Sequence, residues 1–581
     1  MNAESRRFGR RGSRHIDAAR LHLHWLIPAG VILCFLAPIL FTDRTFASDW
    51  GNHYWLIHMQ GLNISSLGAP SIYLQSTLGA FYPYYAFYGG TFYALAGLLS
   101  DLFDAEFAAL LATAGAIAAN YLGWTWIARQ AGVRGWRMQL PGLIAATAPL
   151  AVSNLYGRGG IPELVATSML PLVAAAGISL VREDRLRLRD AAAFVAGLVL
   201  LTGSHVLSMV WGVTVLGLLA VVLIACYRPF AREHATRFLR LAWLGLPAVC
   251  VNAWMLGPLV LYHSRTVENS PDPIIQQAYT GGGNLFRILR DAPDLPNITG
   301  DVNAALPVLA LLWALVCGAV FWRLLAPRRR ALAIGLAVVL AAIVTLILDW
   351  HLISDLPEFL RYIQFPYRLV TYADFCVVGL VTLVLAGLER REPSAGSFAA
   401  VTVLAAIALF SFAISIQQNF EVRSWLPGGR EEALASSVRP PPSWYAIVQF
   451  GDGEGRVVRP TLPQPLTVPV EEGIRDSYTV EYPPGPAGTA QTNIDTGPYL
   501  VDVSGATPVG RSEAGQMVVR LPASPQSPRT VVVGAEDSAA VVVSRRLSVL
   551  ALAFCLLAAA AVVVRRRRSG RSEAANTLAR R

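Results

Sequence analysis

The chain of 581 residues contains no lysine, and every one of its 48 basic Lys-or-Arg positions is Arg. Charge of either sign is scarce, at 15% of residues against 54% hydrophobic. A soluble globular protein of that balance would carry more apolar surface than one core could hide, so composition excludes that class and indicates an integral membrane protein. Cysteine is scarce too. Cys34, Cys226, Cys250, Cys317, Cys376 and Cys555 all fall in or beside apolar runs and none lies in the polar region toward the C terminus. That placement argues against a disulfide framework and a thiolate metal site. GxSxG, HExxH and paired CxxC motifs are missing, and the GGG at 281–283 lacks the Lys and strand context of a P-loop. Soluble nucleotide chemistry therefore has no visible seat.

Apolar runs of about 20 residues suit membrane helices, whose backbone groups are satisfied internally. Candidate spans are 24–42, 107–128, 141–157, 163–180, 190–203, 206–226, 238–257, 303–323, 330–348, 368–387, 397–416 and 545–564. The first follows an Arg-rich start and is longer than the apolar core of a signal peptide, with no good small-residue cleavage site after it, so it reads as a retained span. The net charge of +10 could suggest nucleic acid, but the Arg clusters sit in short connections, as orientation signals do. With about 12 spans, the connections holding RQAGVRGWR, VREDRLRLR, YRPFAREHATRFLR, RLLAPRRR and GLERRE, the N terminus and the RRRR at 565–568 all fall on the cytoplasmic side. No nucleic-acid partner is expected. The Arg-for-Lys bias and abundant Ala indicate a GC-rich bacterium, hence a bacterial plasma membrane.

The apolar stretch 81–99, FYPYYAFYGGTFYALAGLL, would break that agreement if it crossed completely, and its many Tyr residues and its Pro suit an interfacial or re-entrant helix. The expected organisation is a basic cytoplasmic tail at 1–23, a multi-span domain at 24–416 with an outer loop at 43–106, an extracytoplasmic module at 417–544, a final span at 545–564 and a basic tail at 565–581. In the module, Pro, Gly and Ser-rich connections separate YAIVQF, RVVRP, YTVEY, YLVDVS, QMVVRLPA and TVVVGA, whose period-two alternation reads as a small β-sandwich. AAVVVS reads as its last strand, running straight into the final span.

Three polar groups at the outer level could carry chemistry. In FASDWGNHYWLIHMQ, at 46–60, Asp49 follows the first span closely and could deprotonate or orient a hydroxyl at the membrane surface. His53 lies on the same face if the segment is helical, and His58 is less well placed. An acid beside interfacial aromatics would equally mark any water boundary. In NLYGRGGIPE, at 154–163, Arg158 offers a fork of donors for a phosphate, while Glu163 serves equally as a ligand or as an acid in the first turn of a helix. In DWHLISDLPEFLRYIQFPYRLVTY, at 349–372, Asp349, His351, Asp355 and Glu358 precede Arg361 and Arg368, which suit a lipid phosphate or simple snorkelling. The mix of carboxylates and His permits a divalent metal ion, but no spacing is diagnostic of one. His205, Tyr262 and His263 lie at the same level and read as loop residues.

Several of these stretches resemble the membrane glycosyltransferases of the GT-C fold that use polyprenyl-phosphate sugars, and more closely the bacterial YfhO-like proteins and the "6-pyruvoyl-tetrahydropterin synthase-related" membrane proteins. The resemblance rests on Asp49 in SDWGNH, FYPYY at 81–85, LYGRGGIPELVA at 155–166 and FLRYIQFPYRLVTY at 359–372, and covers about 1–420. It implies a GT-C-like helical domain and an inverting transfer from a lipid-phosphate donor to a cell-envelope glycan or lipid acceptor. It further implies Asp49 as catalytic base with His53 beside it, and basic groups neutralising the leaving phosphate, in the order Arg368, Arg361, Arg158. Glu163, Tyr82, Asp355 and Glu358 are its substrate-binding candidates. The soluble pterin enzyme needs a zinc-binding His cluster that this chain lacks, so that label does not describe function. Many relatives place a second acid near the first, whereas the next acid here is Asp101. The competing reading is a non-catalytic transporter or assembly protein, disfavoured because the spans look almost free of coupling acids or bases.

Overall fold

The computed structural model describes residues 26–41, 49–75, 81–262, 285–287, 304–361, 363, 365–389, 394–421, 477–495, 500–511 and 516–579. The chain is a polytopic helical membrane protein with a small β module before its last helix. In chain order the first helices are α1 (Leu26–Phe41), α2 (Asp49–Leu67), α3 (Tyr84–Tyr88), α4 (Gly90–Leu102), α5 (Ala105–Ala131), α6 (Leu140–Ala146) and α7 (Pro149–Val152). They are followed by α8 (Ile161–Arg182), α9 (Leu188–Ser204), α10 (Val206–Cys226), α11 (Arg228–Glu233), α12 (Ala235–Cys250) and α13 (Ala253–Tyr262). The remainder are α14 (Val308–Val320), α15 (Pro327–Leu348), α16 (Glu358–Arg361), α17 (Val370–Leu388, preceded by a 3₁₀ turn from Pro366), α18 (Ala395–Glu421) and α19 (Ala539–Ala579).

Among the described residues seven helices are long and apolar enough to cross a membrane, or eight if the pair α12 and α13, bent by 69°, is one span. Four further predicted spans differ in form. α1 and α14 are shorter apolar helices, and α9 is a 17-residue helix carrying Asp190. The 141–157 segment is broken into α6, α7 and a π turn, Ser153–Gly157. Pro149 explains the break after α6, since its ring and missing amide cannot continue a helix. The 81–99 stretch does not form one span-length helix: it is divided into α3 and α4 at Gly89, whose φ is 104°.

Depth of burial sorts the helices. In α8 and in the helix running from Pro366 to Leu388, 83% and 89% of the apolar window lies inside the protein, against 11% in α19. The first two therefore form the centre and the last turns most of its apolar surface outward, toward lipid. α8 packs between α5 and α9, and α17 packs on α14 and α15. Gly123 lets α5 approach the backbone of α8 at Pro171 and Leu172, where a Cβ would come within 2.6 Å.

The described part of the β module is two three-stranded antiparallel sheets. After an antiparallel pair of two-residue strands, β1 (Leu74–Gln75) with β2 (Phe81–Tyr82), the strands are β3 (Ser477–Tyr482), β4 (Gly488–Asp495), β5 (Leu500–Ser504), β6 (Thr507–Arg511), β7 (Gln516–Leu521) and β8 (Arg529–Glu536). The sheets run β3-β8-β5 and β4-β7-β6, with Ile494, Met517, Val519, Leu521, Val531 and Val533 buried among them. Alternation thus located four of the predicted strand runs; YAIVQF and RVVRP lie outside the described residues. AAVVVS is not a strand. It opens α19, with the Val541 amide donating to the Ser538 hydroxyl at 3.4 Å. Beside lipid a helix satisfies every backbone group by itself, which overrides the strand preference of three consecutive Val.

Candidate functional site

The end of the bundle where α8, α10 and α17 begin gathers polar side chains that are distant in sequence. α2 opens on Asp49, where a carboxylate suits the free amides of a helix N terminus. The Asp49 amide donates to the Arg158 carbonyl at 3.2 Å, and the Trp50 indole donates to the Leu155 carbonyl at 2.8 Å. These two bonds clamp the start of α2 to the π turn and to Arg158. Gly159 makes the clamp feasible: its φ is +79°, and a Cβ there would sit 2.5 Å from the Trp50 ring. Gly89 plays the same part nearby, with a Cβ position 1.7 Å from the Ser204 carbonyl oxygen.

Four charged groups meet there. Arg158 Nε lies 3.4 Å from Asp49 Oδ2, and Arg158 Nη1 lies 2.6 Å from Glu163 Oε2. Arg368 Nε lies 3.4 Å from that same Glu163 oxygen. Glu163 is 2% exposed and Arg368 6%. Two guanidiniums and two carboxylates compensate each other, so the cluster is neutral when all four are ionised. Glu163 holds both arginines, and Asp49 has the looser contact and the more exposed side chain, 29% against 3% for Glu163. Of the two acids, Asp49 is the one with room for a ligand.

Aromatic and imidazole groups form the adjoining wall. His53, fully buried one turn along α2, has Nδ1 2.7 Å from the Tyr93 hydroxyl, while Nε2 has no hydrogen-bond partner among the described residues. Its ring lies 5.8 Å from that of Tyr88, which in turn meets His205 edge-on at 5.9 Å. His205 caps α10, with its Nδ1 2.9 Å from the Ser208 hydroxyl and the Ser208 amide donating to it at 3.3 Å. The Tyr372 hydroxyl donates to the Ser208 carbonyl at 3.1 Å. Arg368 stacks over Phe365 at 5.2 Å.

Burial sets the proton affinities. It raises the Asp49 carboxyl above the usual carboxylate range; Arg158 and Arg368 offset this in part, and Glu163 adds to it. Burial, reinforced by Arg158 and His205, lowers His53 to about 3. Burial also lowers His205 to about 3, with Glu163 opposing and Arg368 and Arg158 reinforcing. Both imidazoles are neutral at physiological pH and are weak bases. Asp49 is the better proton acceptor of the two residues on this face of α2.

The structure thus brings together Asp49, His53, Arg158, Glu163 and Arg368. It does not bring Asp355, Glu358 or Arg361 into the buried cluster: all three side chains are exposed, on the 3₁₀ turn Trp350–Asp355 and on α16. The short turns between α15 and α17 leave these residues facing outward while Leu360 and Ile353 point inward. Tyr82 sits in β2, its backbone paired with Leu74. His263 lies outside the described residues. His205 and Tyr88 are members that the sequence reading passed over. His is not among the preferred N-cap residues, Ser, Thr, Asp and Asn, so no local signal marks His205 as the cap. Among the described residues no three His, Cys, Asp or Glu side chains converge as a metal site.

No protein-family model matches the chain. No curated protein matches it. Among solved structures, the arabinofuranosyltransferase AftD from Mycobacteria aligns with a TM-score of 0.44 and 18% identity, over 70% of this chain and 27% of that one. The oligosaccharyltransferase of Archaeoglobus fulgidus in its apo form aligns with a TM-score of 0.45 and 13% identity, over 77% of this chain and 62% of that one. A second structure of that archaeal enzyme, AglB, in complex with an inhibitory peptide and a dolichol-phosphate, aligns with a TM-score of 0.39. The chain spans less than two thirds of the length of each of these proteins, and likenesses this distant carry no functional argument.

Proposed function

We propose that this protein is a membrane glycosyltransferase of GT-C type, transferring a sugar from a polyprenyl-phosphate donor to a cell-envelope glycan or lipid acceptor at the outer face of a bacterial plasma membrane. The observation that carries the reading is the position of Asp49: a partly accessible carboxylate of raised proton affinity, paired with Arg158 and within the field of Arg368 at one end of a membrane-helix bundle. Asp49 removes the proton of an acceptor hydroxyl, the hydroxyl oxygen forms the new bond to the anomeric carbon, and the bond from that carbon to the donor phosphate oxygen breaks with inversion. The leaving polyprenyl phosphate gains negative charge, which Arg368 and Arg158 stabilise.

The neutrality of the cluster has a consequence for that step. An incoming phosphate must share guanidinium donors that Glu163 already holds at 2.6 and 3.4 Å, so donor binding loosens one of those contacts. His53 serves as a neutral hydrogen-bonding wall beside the acceptor rather than as a second base. The β module helps to bind a growing glycan or to orient the acceptor.

One observation favours the second reading, a transporter or assembly protein: Glu163, Asp190 and Asp374 are all buried within membrane helices, so the spans do carry acids. Transfer of radiolabelled sugar from a panel of polyprenyl-phosphate donors, in membranes carrying the wild-type chain, tests the proposal. Product above that of membranes without the chain supports transfer; movement of labelled substrate across the bilayer without any product supports the second reading instead.

A further inference from the structure

One turn or more below the charged cluster lies a second polar place that the proposed transfer does not use. Asp374, on α17, is 7% exposed, and its Oδ1 has no hydrogen-bond partner among the described residues. Asn154, in the π turn, is 1% exposed, and its Oδ1 is likewise without one. Both line one cavity of about 40 Å³, together with the hydroxyl residues Thr167, Ser168 and Thr371. Two orphaned acceptors facing a common space require a donor or a cation there.

Among apolar walls, the polar part of the lining is rich in oxygen and includes a second amide, Asn120. Asp374 supplies a carboxylate, Asn154 an amide oxygen, and Thr167, Ser168 and Thr371 supply hydroxyl oxygens. Pro171 lies inside α8, so the Thr167 carbonyl lacks the amide that would bond it in an uninterrupted helix. No Arg, Lys or His lines the cavity to balance an ionised Asp374. Hard oxygen ligands with a single negative charge match a hard monovalent cation, and interrupted helices in membranes expose such oxygens to ions. The volume exceeds the roughly 10–15 Å³ that one water needs, leaving space for a small ion with a water.

We infer that this cavity is a binding site for a sodium-sized monovalent cation, made by Asp374, Asn154 and the hydroxyls of α8 and α17. Its place gives the ion a task. Asn154 stands four residues before Arg158, Thr167 and Ser168 follow Glu163 by about one turn, and Asp374 follows Arg368 by less than two turns. A single ion ties together the three segments that carry Arg158, Glu163 and Arg368, and so positions the arginine pair without touching it.

The test uses the full chain purified in detergent, at constant ionic strength, with sodium chloride exchanged for choline chloride. The expected result is a thermal unfolding midpoint that rises saturably with sodium, and binding of about one radioactive sodium ion per chain. Asp374→Asn removes both responses, and Thr371→Val weakens the apparent affinity about tenfold, the effect of losing roughly 1.4 kcal/mol of ligand contact. Equal midpoints in sodium and choline for the wild type overturn the inference, including the case where pH alone moves the midpoint because Asp374 holds a proton. A sodium response unchanged in Asp374→Asn overturns the assignment of the site. Should Asp374→Asn fail to fold, direct sodium binding to the wild type and to Thr371→Val decides the matter alone.

Discussion

Two groups of acids and arginines stand at the ends of the central helices, and they differ in surroundings rather than in chemistry. One is Asp49, Arg158, Glu163 and Arg368, paired at 2.6 to 3.4 Å and largely buried. The other is Asp355, Glu358 and Arg361, 7 to 13 residues before Arg368 in sequence and exposed. Exposed pairs are screened by water and contribute little, whereas buried charges interact strongly and are costly to leave alone. The difference teaches that sequence nominates both groups equally, while chain packing gives only one of them buried ion pairs of fixed geometry.

The comparison can be broken at Glu163. Glu163→Gln removes the carboxylate that Arg158 and Arg368 share, and should lower stability by about 3–5 kcal/mol, read as a lower unfolding midpoint in detergent. Gly159→Ala should cost about 2 kcal/mol by the same measurement, because it joins a positive φ to a clash with Trp50. A loss close to that of an exposed helix glycine would show that the clamp is loose.

The pH dependence of transfer sharpens the comparison further. A base with a raised carboxyl pKa loses activity as pH falls through that pKa, so the acid limb should lie above the ordinary carboxylate range. Arg158→Gln removes the largest influence that lowers Asp49, so its acid limb should move to higher pH; Arg361→Gln should leave the limb in place. Smallest of all should be the effect of replacing Asp355, Glu358 and Arg361 by Ala, within about 0.5 kcal/mol of stability for each and without loss of transfer.

The parts legible in the sequence were those with a local signature. Asp49, Arg158, Glu163 and Arg368 stood out because polar residues flank apolar runs, and four of the six described strands from 477 to 536 because their side chains alternate. Their meeting in one cluster depends on α2 folding back over the π turn, which no local pattern encodes. Asp374 escaped notice because a lone acid within YADFCVV barely changes the hydropathy of its window, and only packing reveals that it faces Asn154 and Thr167 across a cavity. His205 was passed over as a loop residue because GSH separates two apolar runs, although it caps α10 beside Tyr88. The run AAVVVS misled for the opposite reason. Its strand propensity is real, but the requirement to satisfy backbone groups within an apolar surrounding outweighs a preference worth about 1 kcal/mol per residue or less.

The central claim is that Asp49, the partly accessible acid of the buried cluster, and not the exposed acids before Arg368, performs the chemistry. Its most direct test is sugar transfer from polyprenyl-phosphate donors by the wild type, Asp49→Asn and Asp355→Asn at matched protein levels and unchanged unfolding midpoints. The account predicts a loss of about 10²–10⁴-fold for Asp49→Asn and none for Asp355→Asn. Full transfer by Asp49→Asn, or an equal loss in both variants, would contradict it.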